Sequence, residues 1–317
     1  MQFVFVMDPA EKMLVDRDTT YALIRSAQNR GHDSWHCLPV ELFNRGRDLW
    51  ARARPIRVRD TPPHIELGLP VPISLVKSDA VFLRKDPPFD RAYLYLTQQL
   101  DLVKDATLVI NDPRGVRDAN EKLFAFHFAQ FMPPSLVSAD PPQILDFIRR
   151  SGPSVLKPLD GAGGSGVVRV SVDDKNTRSL IDLLTREGRR LALVQEYLPA
   201  IETGDKRVLV LDGELLGAIL RVPRDDDLRA NIHAGGRVEA TALDAAESAL
   251  VREVGKRLKQ DGLWFVGLDL IGGKLIEVNV TSPTGIQELG RLTGGEPEGE
   301  VLAFVERKAA EIKAAFS

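Results

Sequence analysis

Cysteine is almost absent from this chain of 317 residues, in which Cys37 stands alone. One cysteine excludes an intrachain disulfide and a metal cluster held by several thiolates. Long apolar runs are missing as well, because no segment approaches the roughly 20 apolar residues that a membrane-spanning helix needs. The opening residues MQFVFVMDP carry no basic stretch before their short apolar run, unlike a secretory signal peptide. These absences predict a cytoplasmic protein that does not enter a membrane.

An excess of positive charge is also missing. The formal net charge is −3, so the chain carries no electrostatic footprint for binding nucleic acid or an anionic membrane. Its apolar content of 44% and charged content of 27% are those of an ordinary globular protein. The length is sufficient for two or three domains that share one active site.

A glycine-rich turn is the most informative feature that is present. Residues 154–170 read SVLKPLDGAGGSGVVRV, in which an apolar run containing Lys157 enters a turn over residues 161–166 and a second apolar run leaves it. Gly161, Gly163 and Gly164 allow positive φ and a close approach of the backbone to phosphate oxygens. The second run, VVRVSV, is β-branched at period 2, so the turn joins two strands. The pattern predicts a β-hairpin flap over nucleotide phosphates.

Other nucleotide-binding motifs do not fit this turn. A dinucleotide fingerprint requires a helix after the glycines, and here a strand follows. A Walker loop has its lysine after the glycines, whereas Lys157 precedes them. A protein kinase would also contain HRD and DFG, and the chain contains neither.

A second informative stretch is VGLDLIGGKLIEVNVT, residues 266–281, in which two apolar runs flank Gly272-Gly273. Leu268, Leu270, Ile276, Val278 and Val280 form one apolar face at period 2, which leaves Asp269, Glu277 and Asn279 on the opposite face. This pattern requires a three-residue turn or a bulge, which sets Asp269 across from Glu277. Two carboxylates and an amide oxygen are hard ligands that suit Mg²⁺. The stretch predicts a metal-binding hairpin.

Cationic side chains cluster between these two stretches. Arg207 and Arg221 lie on a predicted hairpin with the turn Asp212-Gly213, and Arg229 lies in a polar segment over residues 224–237. Guanidinium groups match phosphates and carboxylates with two hydrogen bonds. The arrangement predicts arginines that clamp phosphates or a substrate carboxylate.

The remaining pattern alternates strands with helices and predicts an α/β fold. Specific expectations are a strand over residues 2–7, a helix from Asp18 or Thr19 to Arg30, and loops or short antiparallel strands over residues 45–69. We also expect a helix over residues 120–131, a helix capped by Asp140, and a capping box of Asp244 and Glu247. The flap and residues 224–237 are the expected lids.

The motifs as a set resemble the bacterial glutathione synthetases of the ATP-grasp superfamily. The segments that carry the resemblance are RKDPPFD (84–90), NEKLF (120–124), LKPLDG (156–161), GDKRVLV (204–210), AGGR (234–237), FVGLDLIG (265–272) and EVNVTSPTGI (277–286). It runs from VMDP (6–9) to about Glu288, and two stretches depart from it, Asp225-Asp226-Asp227 and residues 290–299.

The resemblance implies an ATP-grasp fold preceded by an open, mainly parallel α/β domain. The expected boundaries are residues 1–120 for the N-terminal domain, 121–198 for the ATP-grasp subdomain with the flap, and 199–317 for the subdomain with the metal hairpin. It also implies a homotetramer.

The implied reaction joins γ-glutamylcysteine to glycine through an acyl phosphate made from ATP. The resemblance assigns ATP contacts to Lys122, Lys157, the flap glycines, Gln195, Glu196, Tyr197 and Leu198. It assigns the binding of two Mg²⁺ ions, or of Mn²⁺, to Asp269, Glu277 and Asn279, and the stabilisation of charge to Arg207, Arg221 and Arg229. It assigns contacts with the peptide to Asp86, Asp205, Gly235, Ser282 and Thr284.

Three other readings compete with this one. A D-alanine–D-alanine ligase or a glutamate-adding ligase would share the flap and the metal hairpin, but not RKDPPFD or EVNVTSPTGI. A non-catalytic nucleotide-binding module would show gaps in the phosphate-binding or metal-binding set, and the set is complete. A hydride-transfer enzyme is disfavoured by the strand that follows Gly166.

Overall fold

A computed structural model describes residues 1–161, 163–223 and 236–316. The first sheet contains eight strands: β1 (Gln2–Met7), β2 (Asp33–Cys37), β3 (Leu42–Arg45), β4 (Asp48–Val58), β5 (Ile65–Leu67), β6 (Val71–Ser74), β7 (Ala80–Arg84) and β8 (Leu108–Ile110). Their main order is β3-β4-β2-β1-β7-β8, with β5 and β6 also paired to β4. The β2-β1-β7-β8 half is parallel, and every pairing of β4 is antiparallel. The carboxyl ends of β1 and β7 therefore meet at one edge, where ligands of α/β sheets bind.

The second sheet contains the flap. Its strands are β9 (Ser135–Ser138), β10 (Ser154–Pro158), β11 (Val168–Val170) and β12 (Ala192–Glu196), in the order β11-β10-β12-β9. β10 and β11 pair antiparallel, which confirms the predicted hairpin. The sheet packs on two amphipathic helices, α4 (Pro141–Ser151) and α5 (Thr177–Thr185), through a small apolar core.

The third sheet contains the metal hairpin. Its strands are β13 (Asp205–Leu211), β14 (Glu214–Val222), β15 (Arg237–Ala240), β16 (Phe265–Ile271) and β17 (Lys274–Asn279), and the order is β15-β14-β13-β16-β17. β13 and β14 turn at Asp212-Gly213 as predicted. Gly213 has φ +82°, and a Cβ there would lie 2.7 Å from the Gly255 carbonyl oxygen. Glycine is therefore required where this turn meets the neighbouring helix.

The other helices are α1 (Thr19–Asn29), α2 (Arg91–Asp101), α3 (Pro113–Asp118), α6 (Ala245–Gln260), α7 (Ile286–Thr293) and α8 (Pro297–Phe316). Short 3₁₀ segments lie at Ala10–Lys12, Pro39–Glu41, Leu75–Lys77, Phe124–Phe131 and Pro199–Thr203. The expected start of α1 is confirmed, because the Asp18 carboxylate accepts hydrogen bonds from the Thr20 and Tyr21 amides. The capping box of Asp244 and Glu247 opens α6 as predicted. Among the described helices, none has the length and apolar content to cross a membrane.

The first and third sheets share continuous apolar cores. One core joins Val4 and Val6 of β1 to Val208, Leu268 and Val278 of the third sheet. Buried Asn111, just after β8, links the same two bodies: its Nδ2 donates to the carbonyl oxygens of Phe265 (2.8 Å) and Val280 (2.7 Å), and its Oδ1 accepts from the Phe265 amide. These contacts hold the edge of the first sheet against the base of the metal hairpin.

Three local expectations need correction. Residues 120–131 do not form one α helix: Glu121 and Lys122 lie in turns, and the 3₁₀ segment that follows is kinked at Phe128. The Glu121 carbonyl accepts a hydrogen bond from the Val278 amide of β17. In an α helix, this carbonyl would instead accept from an amide of the following turn. Asp140 precedes α4 but makes no side-chain cap. Residues 45–69 include β4, an eleven-residue strand, where only loops or short strands are expected.

Candidate active site

Two adjoining cavities lie where the three sheets meet. The first, of about 510 Å³, is lined by β10, β12 and the third sheet, and the second, of about 530 Å³, lies between the first sheet and the third. Gly163 of the flap and four residues of the third sheet, Arg207, Arg221, Glu277 and Asn279, line both cavities. The two cavities therefore meet at the arginine and metal-hairpin residues.

The first cavity has the lining expected of a nucleotide site. Gln195, Glu196, Tyr197 and Leu198 form one wall, and the other apolar walls come from Val155, Val167, Ile201, Ile271 and Ile276. The amides of Glu196 and Tyr197 already donate to Pro134 and Pro153. Among the described residues, the Leu198 amide has no acceptor, so it is free to hydrogen bond a ligand.

Lys157 is buried in the wall of the first cavity, with 7% of its surface exposed. Its Nζ donates to Gln195 Oε1 over 3.1 Å. Burial lowers the pKa of Lys157, and the carboxylates of Glu277 and Asp269 partly oppose this shift. A desolvated ammonium without a carboxylate partner is suited to an anionic ligand.

The flap glycines adopt conformations that other residues resist. Gly163 has φ +61° and Gly164 has φ +75°, and both line the first cavity. A Cβ at Gly161 would lie 2.7 Å from Pro158 Cγ and 2.8 Å from the Ser165 carbonyl oxygen. The flap therefore needs glycine for its shape, and it exposes backbone to the cavity.

Four charged side chains from neighbouring strands form one buried network. Arg221 binds Asp205 with two hydrogen bonds of 2.6 Å, and Arg207 binds Asp269 through Nε–Oδ1 (2.6 Å) and Nη2–Oδ2 (3.1 Å). Arg221 Nη2 also lies 3.0 Å from Asp269 Oδ2. Burial raises the pKa of Asp269, but the two arginines outweigh it and hold the pKa well below its usual range. Asp269 is thus ionised and fixed in place.

The metal hairpin has the predicted register. A bulge between Asp269 and Leu270 sets Asp269 opposite Glu277. One assignment is wrong: Leu275 occupies the apolar face in place of Ile276, which is the extra residue of the bulge and lines the first cavity. The cause is that two adjacent apolar residues can exchange faces when the chain gains one residue.

The donor set fits a hard cation. Glu277 and Asn279 line both cavities, and Asn279 donates from Nδ2 to the Gly267 carbonyl, which leaves its Oδ1 without a donor among the described residues. Asp269 differs, since both of its oxygens already receive arginine hydrogen bonds. In the ranges that the structure describes, no three His, Cys, Asp or Glu side chains form a metal cluster, and the third member of the predicted set is the Asn279 amide oxygen.

Lys122 lies behind the walls of the two cavities. It is 2% exposed, its Nζ donates to the Gly161 carbonyl over 2.6 Å, and it lies 3.5 Å from Glu277 Oε1. It therefore connects the flap to the metal hairpin.

The second cavity collects most of the residues predicted to bind the peptide. Asp86, Ser282 and Thr284 line it, and the Thr284 carbonyl accepts from Arg207 Nη1 over 3.2 Å. Asp205 lies instead in the first cavity, paired with Arg221. Arg229 and Gly235, and with them most of the expected lid at 224–237, lie outside the described residues.

Two residues of this cavity were missed from the sequence, although each belongs to a motif identified there. Arg84 is the first residue of RKDPPFD and ends β7, and it lines the cavity although it is 95% buried. Glu121 stands next to Lys122 in NEKLF and accepts a hydrogen bond from the Thr281 hydroxyl (3.2 Å). Burial and the nearby Glu277 raise the pKa of Glu121 to about 7.

Known structures with the same fold share this arrangement of domains. An ATP-grasp ligase, PsnB, solved with the precursor peptide PsnA2 and AMPPNP, superposes with a TM-score of 0.63 and 17% identity, over 98% of each chain. The D-cycloserine synthetase DcsG superposes with a TM-score of 0.62 and 16% identity, over 96% of this chain and 99% of that one. At these identities the two structures show that the chain shares their fold.

Sequence comparison defines the family. Residues 1–117 match the model of the prokaryotic glutathione synthetase N-terminal domain, and residues 121–294 match that of the prokaryotic glutathione synthetase ATP-grasp domain. The chain belongs to the prokaryotic glutathione synthetase family. It is 42% identical to the glutathione synthetase of Rhodopseudomonas palustris, over 96% of this chain and 97% of that protein. It is 40% identical to that of Thermosynechococcus vestitus, over 96% and 99%.

Proposed function

We propose that the cleft carries out the reaction of its family, the ATP-dependent ligation of γ-glutamylcysteine to glycine. The cysteinyl carboxylate attacks the γ-phosphorus of ATP, which releases ADP and leaves an acyl phosphate. The glycine amine then attacks the carbonyl carbon, and phosphate departs. A carboxylate is a poor electrophile, so phosphorylation supplies the leaving group, and the protein contributes positioning and charge neutralisation.

The first cavity binds ATP in this proposal. Adenine lies between the apolar walls and receives a hydrogen bond from the Leu198 amide, with Glu196 on the ribose. The phosphates extend to Lys157 and to the amides of Gly163 and Gly164. Lys122 supports this end, because it holds the flap at Gly161 and places its positive charge beside Glu277.

Glu277 and Asn279, with Asp269 behind them, would hold two Mg²⁺ ions or Mn²⁺ in their place. The cations would neutralise phosphate charge when bound. The chain's own contribution is to orient these oxygens: the Arg207 and Arg221 hydrogen bonds fix Asp269, and the bulge turns Glu277 towards both cavities.

Arg207 and Arg221 stabilise the charge that develops during both steps. They are the guanidinium groups at the junction of the two cavities, where the reacting carboxylate must meet the γ-phosphate. Arg229 is proposed as a third such group on the basis of the family resemblance. Asp86, Asp205, Gly235, Ser282 and Thr284 remain the proposed peptide contacts, and the Thr284 carbonyl already accepts a hydrogen bond from Arg207.

The observation that carries this proposal is the shared wall. One cavity has the lining of a nucleotide site, the other is lined by the proposed peptide contacts Asp86, Ser282 and Thr284, and they meet at a paired set of two arginines and the metal hairpin. The test is ADP release with Mg²⁺ and γ-glutamylcysteine, with and without glycine, against D-alanine and glutamate controls. Release that requires both γ-glutamylcysteine and glycine supports it. Release with D-alanine alone would move the chain to another ligase class, and ATP binding without turnover of any acceptor would indicate a non-catalytic module.

We further propose that the domains divide near residues 120 and 198, that the chain forms a homotetramer, and that it works in the cytoplasm. The three separate sheets support the division. The family resemblance supports the tetramer, and the use of ATP as a substrate supports the location.

A further inference from the structure

Arg84 is a buried cation without a carboxylate partner. It lines the second cavity at the end of β7 and is 5% exposed. Nε donates to Thr20 Oγ1 over 3.1 Å, and Nη2 donates to the Pro283 carbonyl over 3.0 Å. Both partners are neutral. Among the described residues, buried Nη1 has no acceptor at all.

Nearby acids do not neutralise this guanidinium. Asp18 and Asp86 are close enough to raise the pKa of Arg84, but neither forms an ion pair with it, and burial outweighs both and lowers that pKa. The Asp18 carboxylate is occupied by the first amides of α1. A buried charge that is unpaired and has an unsatisfied N–H group is unfavourable unless another group supplies the opposite charge and the missing hydrogen-bond acceptor.

Most of the other buried cations of the cleft are paired with a carboxylate. Arg207, Arg221 and Lys122 each have a carboxylate neighbour. Lys157 has only the neutral Gln195, and it faces the cavity assigned to the ATP phosphates. Arg84 is the equivalent case in the second cavity, so the chemistry predicts an anionic ligand there as well.

The position of Arg84 indicates which carboxylate of the peptide it would bind. Arg84 holds the Pro283 carbonyl, and Arg207 holds the carbonyl of the next residue, Thr284. The two guanidinium groups thus donate hydrogen bonds to adjacent peptide units. Arg207 lies at the end of the cavity where the reaction is proposed, and Arg84 lies on the side of α1. The proposed peptide has two carboxylates, and only the cysteinyl one reacts. The other cations that line the cavity outside the network, Lys12 and Arg17, are exposed.

We propose that Arg84 binds the carboxylate of γ-glutamylcysteine that does not react, the α-carboxylate of its γ-glutamyl group. This inference rests on the proposed function and adds a specificity-determining residue to it. Arg84 makes the second cavity selective for peptides that carry a free α-carboxylate at the end remote from the reacting bond.

Comparing γ-glutamylcysteine with an analogue separates this role from a structural one. The analogue, γ-aminobutyrylcysteine, lacks only the α-carboxylate. For the unaltered protein, we expect KM for γ-aminobutyrylcysteine to exceed that for γ-glutamylcysteine by about ten- to hundredfold, the effect of losing one charged hydrogen-bonded pair. For Arg84→Gln, the two KM values should agree within about threefold, while KM for ATP stays unchanged.

Calorimetric titration of both peptides supplies a readout that does not depend on turnover. Arg84→Lys should recover part of the discrimination, since it keeps the charge but loses the planar fork. Arg252→Gln is the control: Arg252 is exposed on α6 and lines neither cavity, and its loss should leave both KM values within about twofold.

The outcomes separate this inference from the proposed function. If the unaltered protein does not ligate γ-glutamylcysteine to glycine, the proposed function fails. If it ligates both peptides with equal KM, only the role of Arg84 fails, and this test needs no variant to fold. A loss of affinity for both peptides by the same factor in Arg84→Gln would show that Arg84 only holds Thr20 and Pro283 in place, and would overturn the inference.

Discussion

Arg207 and Asp269 stand directly opposite each other on the neighbouring strands β13 and β16, and the guanidinium of one holds both oxygens of the other. The pair is nearly buried, with side chains 8% and 13% exposed. The register of the sheet therefore places a proposed catalytic cation and a carboxylate of the metal hairpin in one preassembled unit.

Removal of one partner should leave a buried charge without compensation. We expect Arg207→Met to abolish ligation and to lower the free energy of unfolding by about 3 kcal/mol or more, measured by denaturant titration. The double variant Arg207→Met/Asp269→Asn should regain part of that stability but none of the activity. If the single and double variants unfold at the same denaturant concentration, the pair is not what stabilises this part of the sheet.

Glu277→Gln should separate activity from folding. The amide keeps the size of the side chain but removes the charge that faces both cavities, so we expect kcat to fall by about a hundredfold or more. The protein should still fold, although its melting temperature should fall because Glu277 lies 3.5 Å from the buried Lys122 ammonium. Glu253→Gln on the exposed face of α6 is the control. Full turnover in Glu277→Gln would remove Glu277 from the proposed metal set.

Lys157→Met should selectively weaken the binding of ATP. The lysine faces the first cavity without a carboxylate partner, so its loss should raise KM for ATP by about ten- to hundredfold, while KM for the peptide stays within about twofold. Steady-state kinetics with each substrate varied in turn measures both values. Exposed Lys175 on the same subdomain supplies the control Lys175→Met. An equal rise in both constants would point to a general disturbance of the flap.

Glu121 should make the metal-free protein less stable at higher pH. Its pKa is about 7 in the folded protein, against an ordinary value of 4.5. The folded state therefore binds more protons between these values, and stability falls as the pH rises through 4.5 to 7. Between pH 5 and pH 8, wild-type protein in EDTA should lose about 1 to 3 kcal/mol relative to Glu121→Gln. Parallel unfolding curves at the two pH values would contradict this assignment.

Period-2 patterns were sufficient to predict the local parts of the site. The flap hairpin and the pairing of Asp269 with Glu277 follow from which residues share a face, because an error of one residue would bury the acids. The pattern does not locate the extra residue of the bulge. Leu275 and Ile276 are both apolar, so either could have filled the core, and the structure places Ile276 in the cavity.

Residues that work through distant partners could not be read in this way. The role of Arg84 depends on Thr20 and Pro283, which lie 64 and 199 residues away. The turn at Glu121 depends on its hydrogen bond to Val278, which overrides the local preference of residues 120–131 for a helix. Only the folded arrangement reveals which polar groups are left without partners.

The packing of α8 against the first strands has a consequence for synthesis. Val301, Leu302, Val305 and Ala309 of α8 lie in the same buried core as Phe3 and Phe5 of β1 and Tyr21 of α1. A ribosome must therefore translate almost 300 further residues before this core is complete, although Phe82 of β7 can cover Phe3 and Phe5 much earlier. The part of the core that α8 covers stays exposed on the nascent chain throughout elongation, and we expect it to bind co-translational chaperones. A chain that stops before Pro297 should aggregate even though it contains all of the proposed catalytic residues.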